Sequence, residues 1–207
     1  MARRTKRRGG LQPDKYLSET QLRKLRQHVK DIADLARQRG SMRGIIDELV
    51  VELLVNTGLR ASELCDLNIG DLPMSHGKDV VWVRDGKGNV ARTVDIPESL
   101  RERLERFVKL YRGKAGPDEP LLVSAKGKRT IYRSMYEKIK KLGRQSGIGK
   151  LHPHMLRHTY GTRLYNVDQD LRFVQDQLGH ASPNTTAIYA KTNAPARRRQ
   201  LEALDGE

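Results

Sequence analysis

The chain lacks the features that would commit it to secretion, to metal chemistry or to a membrane. It has a single cysteine, Cys65, so no intrachain disulfide can form. A reducing cytosol is the compartment that fits. Cys65 stands beside the helically spaced Leu64 and Leu67 and reads as a small buried residue, not a catalytic thiol. No apolar run approaches the ~20 residues that a membrane span requires. No apolar stretch follows the basic N-terminus, as a secretory signal would need. No Cys/His group has zinc-ligand spacing, and no Walker-type glycine loop is present. The chemistry is therefore expected to run without a bound nucleotide, metal or other cofactor.

Acidic residues are the other deficit. Asp plus Glu total 25 against 40 Lys plus Arg, a formal net charge of +15. Such a surplus favours a polyanionic partner, nucleic acid before acidic membrane. The length, 207 residues, suffices for one good core or two small ones. Residues 1–15 begin MARRTKRRGG, with five basic residues in the first eight. They read as a flexible basic arm, either a solvated tail or a source of phosphate contacts that read no sequence. A natural start at Met1 and a fragment of a larger protein are the two readings of this terminus.

Order is expected from Tyr16. Ser18 and Gln21 form a capping box, and Leu22, Leu25, Val29, Ile32 and Ala36 predict a helix to about Gln38. Ile45, Ile46, Leu49, Val50, Leu53 and Leu54 predict a second helix that Gly58 stops. A short one starts near Ala61. The period then changes. Val80–Val83 and Val90–Ile96 are β-branched runs separated by the turn formers Asp85-Gly86-Lys87-Gly88-Asn89, which predicts a hairpin. A helix through Leu100, Leu104, Phe107, Val108 and Tyr111 follows, and Leu121–Val123 reads as a third short strand. Further helices are expected over 130–146, 153–166, 168–178, 184–190 and 196–204. The fold class is mainly α with a small antiparallel β-sheet (α+β).

Six side chains of matching chemistry stand in one order: Arg60, Lys87, His154, Arg157, His180 and Tyr189. Breaking a phosphodiester with a protein hydroxyl needs an in-line nucleophile, neutralised non-bridging oxygens and a proton for the leaving oxygen. Arginine suits the clamp because its planar fork takes two phosphate oxygens and stays charged. A free tyrosine, with pKa near ~10, is ionised about once in a thousand at neutral pH, so cationic neighbours help the nucleophile as well. His154 and Arg157 are three residues apart, which puts both on one helix face.

The segments TGLRASEL (57–64), GKG (86–88), HPHMLRHTYGTRL (152–164) and LGHASPNTTAIYA (178–190) occur in this order. Together they resemble the catalytic domain of the tyrosine recombinases, the phage integrase family. The resemblance runs from about Tyr16 to Ala194. It implies a catalytic domain over 16–194 and a tail helix over 195–207 that docks in cis or passes to a neighbouring subunit. Arg60 and Arg157 resemble the two clamp arginines, and Glu63 the acidic residue that orients the first. Lys87 resembles the general acid for the leaving 5′ oxygen. His154 resembles the histidine that bonds the phosphate and takes the tyrosine's proton, and His180 a second phosphate hydrogen-bonder. Tyr189, the tyrosine with the family's spacing after LGH, is the expected nucleophile of a 3′-phosphotyrosyl intermediate. His152 and His158 are read as structural. Asn184 and Thr185 are expected to cap the helix that delivers Tyr189.

The implied activity is site-specific DNA recombination without ATP or metal. The partner is double-stranded DNA, with a homotetramer on synapsed sites and a monomer or weak oligomer when free. The location is the cytoplasm, at the nucleoid. Arg129, Arg133, Lys140 and Lys141 are read as phosphate contacts. An N-terminal DNA-binding domain common in the family has no counterpart here, and the chain is similar in this to the fimbrial phase-variation invertases. The alternatives are a type IB topoisomerase-like nicking-closing enzyme and a DNA-binding regulator on a retired recombinase fold.

Overall fold

The computed structural model describes residues 13–84, 91–180 and 183–192. The basic arm as far as residue 12, the hairpin tip with Lys87 and the tail over 195–207 lie outside them, as does the side chain of Asn184. A short 3-10 turn, Pro13–Lys15, precedes the expected start of order and packs beside the sixth α-helix.

Helix α1 (Glu19–Gln38) begins as its sequence requires. Ser18 Oγ accepts from the Gln21 amide, and the Gln21 side chain accepts from the Ser18 amide. Its buried stripe is Leu22, Leu25, Val29, Ala33 and Ala36, with Ile32 at the edge. The stripe lies along α2 (Met42–Thr57). The two axes approach closely at Gly44, where an added Cβ would come within 2.6 Å of the Ile32 carbonyl. Helix α2 is buried on nearly all sides from Leu49 to Val55, as expected of a helix with apolar residues all round. It packs against α1, α3, α4 and α6. Removing a fully buried Leu such as Leu53 would cost about 2–5 kcal/mol.

Helix α3 (Ala61–Asp66) leads by two 3-10 turns into strand β1 (Val80–Val83). Strand β2 (Arg92–Asp95) pairs with it antiparallel, Val81 opposite Val94 and Val83 opposite Arg92. Val81, Val83 and Val94 face the core while Trp82 is half exposed, the period-2 alternation of a one-sided sheet. The predicted third strand at Leu121–Val123 does not form, and among the described residues the sheet has two strands. Instead, the Ile69 amide donates to Glu119 and the Leu121 amide to Leu67. The start of the segment pairs with the loop after α3, Leu122 O accepts from the Thr130 amide, Val123 makes an isolated bridge to Arg129, and Leu121 and Leu122 serve as core residues.

Helices α4 (Glu98–Tyr111), α5 (Tyr132–Gln145), α6 (Pro153–Asp168), α7 (Leu171–Leu178) and α8 (Pro183–Thr192) complete the described chain. Helix α7 starts later than expected because Asp170 caps it, its carboxylate accepting from the Arg172 and Phe173 amides. The core divides. A main cluster spans α1 to α6 and the sheet, and a small one holds Tyr160, Tyr165, Val174, Leu178 and Tyr189. Among the described residues, no helix is long and apolar enough to cross a membrane.

Candidate active site

Two helix C-termini meet at the floor of one cleft. Helix α2 ends at Gly58 and α7 at Gly179, both with φ 61. This left-handed conformation reverses the chain at once and is cheap only for glycine. Each end leaves carbonyls unpaired at the negative pole of its helix. Arg157, on α6, spans both. Its Nη1 donates to Gly58 O at 2.7 Å and its Nη2 to Leu178 O at 2.5 Å. Burying an isolated charge costs several kcal/mol, and these carbonyls supply the compensation at a residue 3% exposed. Burial, and then the neighbouring Arg60 charge, lower the Arg157 pKa to about 10, so it stays cationic at neutral pH.

Arg60 occupies the N-cap position of α3, two residues after Gly58. Glu63 holds it from the first turn: the Arg60 amide donates to Oε2 at 2.7 Å and Arg60 Nη1 to Oε1 at 2.5 Å. Arg60 Nη2 also reaches Gly179 O, at 3.4 Å. The first turn of α3 and the end of α7 therefore fix this guanidinium beside Arg157. Glu63 is buried, and burial alone would raise its carboxyl. The hydrogen bonds and charges of Arg92 and Arg60 outweigh that and hold it down to about 2.

Helix α6 also carries His154, exposed at the cleft, and His158 one turn on, their rings 5.4 Å apart. His158 Nδ1 lies 3.1 Å from the Tyr189 hydroxyl. The Tyr189 ring, 1% exposed, fills a notch at Gly161, where an added Cβ would meet Tyr189 Cζ at 2.6 Å. Burial pushes the phenol up to about 12, against the pull of Arg157. His180, just past Gly179, stacks parallel to Tyr189 at 6.4 Å, and its Nδ1 lies 3.0 Å from the buried Thr186 hydroxyl. Burial, reinforced by the charged neighbours Arg157 and Arg60, pulls His180 down to about 4. His158 falls to about 4 as well, by burial and then by His154 and Arg157. His154 moves down for the same reasons, burial first, then Arg157 and Arg60.

The cleft, about 460 Å³, is lined by Arg60, Ser62, Tyr132, Tyr136, His154 and Arg157. Tyr189 and His180 are not among its lining residues. The structure thus gathers Arg60, Glu63, His154, Arg157, His180 and Tyr189, while Lys87 lies outside the described residues. Reading the sequence missed two residues. Arg92 grips Glu63 from β2, a signal available only as a basic residue in a β-branched strand. His158, read as structural, touches the phenol. Its spacing of four from His154 was the available clue.

The four residues read as phosphate contacts differ in their surroundings. Arg133 and Lys141 are exposed on α5. Lys140 bonds Glu137 and lies over the Tyr136 ring. Arg129 is tied to the fold: it donates to the Cys65 and Leu67 carbonyls and to Asn68 Oδ1. Its guanidinium serves the loop after α3.

Fold and site define a mainly helical domain with a two-stranded hairpin, able to hold an oxyanion between two arginines beside a tyrosine hydroxyl. The chain belongs to the phage integrase family, whose model matches residues 15–195. The tyrosine recombinase XerC of Pseudomonas fluorescens is 39% identical over 143 residues, covering 69% of this chain and 47% of that protein. XerA of Pyrococcus furiosus is 36% identical over 162 residues, covering 76% and 54%. The chain spans about half the length of the curated relatives it matches. A crystal structure of XerA recombinase superposes with a TM-score of 0.73 at 31% identity, covering 91% of this chain and 64% of that one. XerH bound to its difH substrate gives 0.66 at 27% identity, over 85% and 50%.

Proposed function

We propose that the chain is the catalytic part of a site-specific DNA recombinase that cuts and rejoins DNA through a 3′-phosphotyrosyl intermediate. The observation that carries this reading is the convergence of Arg60, Arg157 and His154 on one cleft, with the Tyr189 hydroxyl bonded to His158, one turn beyond His154, and its ring stacked on His180. Support also comes from the tyrosine recombinases it matches, among them a XerH structure described as bound to its DNA substrate.

In this reading the two guanidiniums take the non-bridging oxygens of the scissile phosphate, with His154 and His180 as further donors. Tyr189 Oη attacks phosphorus and forms the Tyr–O–P bond as the P–O5′ bond breaks. The phenolic proton passes to a histidine, and His158 Nδ1 already stands within hydrogen-bond distance of it. The departing O5′ receives a proton from Lys87, the residue that the family pattern places at the hairpin tip. The ester retains the bond energy, so a second 5′-hydroxyl can reverse the attack without ATP. Double-stranded DNA is the partner, and four protomers on two sites are the assembly that exchange of strands would need.

The test is a nicked suicide duplex that loses its 5′ fragment on cleavage. The wild-type protein should give a covalent protein–DNA band on a denaturing gel. Tyr189→Phe should bind the duplex with similar affinity and give none. A covalent band from the Phe variant would mean that another hydroxyl attacks. Relaxation of supercoiled DNA by a monomer, with no strand exchange, would turn the reading toward a nicking-closing enzyme.

A further inference from the structure

Glu63 accepts four hydrogen bonds from two arginines. Arg60 supplies its amide and Nη1, while Arg92 supplies Nη1 to Oε1 and Nη2 to Oε2, both at 2.9 Å. The second pair is a parallel fork between side chains 11% and 3% exposed, the geometry in which an arginine–carboxylate contact is strongest and most directional. Arg92 comes from β2 and reaches past the end of α7. A Cβ added at Gly179 would lie 2.7 Å from Arg92 Cδ and Nε, so the turn before His180 is shaped around this side chain. Arg92 Nε is buried with no hydrogen-bond partner. A buried orphan donor is costly, which marks the side chain as held there by the carboxylate.

The charge balance gives this fork a consequence. One carboxylate between two guanidiniums leaves a cluster of net charge +1. Were Arg92 absent, Arg60 and Glu63 would form a neutral pair in a partly buried site, where low dielectric strengthens their mutual attraction. Arg60 would then present little net field to an incoming phosphate and would be drawn toward Glu63, away from the cleft. We propose that Arg92 is a positioning residue that shares the Glu63 carboxylate and thereby keeps the Arg60 guanidinium available, as a cation, to the scissile phosphate. The inference rests on the recombinase reading and adds a residue to its machinery.

The test compares Arg92→Met and Arg92→Lys with wild-type protein on two suicide duplexes. One carries an ordinary scissile phosphate, the other a neutral methylphosphonate at that position. On the phosphodiester, Arg92→Met should cleave about 10- to 100-fold more slowly in single turnover, with duplex affinity unchanged within about threefold. Arg92→Lys, which restores the charge, should recover most of the rate. On the methylphosphonate, which has no phosphoryl charge to neutralise, Arg92→Met and wild type should differ far less. An equal loss on both substrates would mean that Arg92 merely supports the fold, and no loss on the phosphodiester would mean that it is dispensable. If Arg92→Met does not fold, Arg92→Lys decides: a rate as low as that of Arg60→Ala overturns the proposal. Failure of wild-type protein to form any adduct would instead strike at the recombinase reading itself.

Discussion

At the residue scale, the informative contact is between His158 and Tyr189. At neutral pH the phenol, at about 12, is protonated and the imidazole, at about 4, is neutral. The hydroxyl therefore donates and Nδ1 accepts, which places the ring proton on Nε2. An acceptor so placed can take the proton when the phosphate draws the phenolate out. His158→Phe keeps an aromatic ring and removes the acceptor. It should slow single-turnover cleavage by about 100-fold, in the range of lost general-base catalysis, with DNA affinity retained. An unchanged rate would direct the proton to His154. The same shifts predict a stability profile. His158 and His180 titrate in the folded state well below their ordinary value of 6.5. The unfolded chain thus binds more protons between about pH 6.5 and 4. The stability from keeping both rings neutral is fully present above 6.5 and lost as pH falls through that window. The thermal midpoint should drop from pH 7 to pH 4, and His158→Phe should shrink the drop. A flat wild-type profile would count against burial of both imidazoles.

At the scale of elements, the site depends on where helices stop, and stops are what a sequence announces best. Gly58 was legible as a helix end from its place after an apolar run, and the structure gives it and Gly179 φ 61. The capping box at Ser18 and the β-branched run Val80–Val83 were legible for the same reason, since each is set by neighbours within four residues. Long-range pairing was not. Leu121–Val123 has strand composition, yet the Leu121 amide pairs with Leu67, more than fifty positions away in sequence, and the turn back to Arg129 and Thr130 leaves Val123 only an isolated bridge. The tie of Arg129 to the fold was not legible either, because its acceptors, at Cys65, Leu67 and Asn68, are equally remote. Arg92 escaped because a fork onto Glu63 leaves no local pattern. Gly179→Ala tests the element directly. It must place an alanine in left-handed backbone, which costs about 1 kcal/mol, and its Cβ must displace Arg92. It should lower the thermal midpoint by a few degrees and reduce cleavage on the phosphodiester more than on the methylphosphonate. Equal effects on the two substrates would uncouple this turn from the Arg92–Glu63–Arg60 cluster.

At the scale of the whole molecule, the division of the core sets what can move. The main cluster includes the fully buried α2 residues Val50, Val51, Leu53, Leu54 and Val55, whereas α8 is held through a small cluster in which Tyr189 is the largest fully buried side chain. The proposed nucleophile is thus also a packing anchor. Its ring must leave the Gly161 notch and its bond to His158 before the oxygen can enter the cleft. A full aromatic side chain is worth about 1.5–3 kcal/mol on burial, an opening cost far below that of dismantling the main core. Local openings with free energies below the global one are how such segments move. Amides of α8 should therefore exchange with solvent hydrogen through an opening several kcal/mol cheaper than the one that exposes α2. Gly161→Ala sharpens the test, because alanine favours the helix interior by roughly 1 kcal/mol while its Cβ evicts the ring. Exchange should accelerate across α8 and leave α2 unchanged or slower. If α8 and α2 instead exchange together in both proteins, the two clusters unfold as one unit, and the phenol cannot reach a phosphate by a local movement of α8.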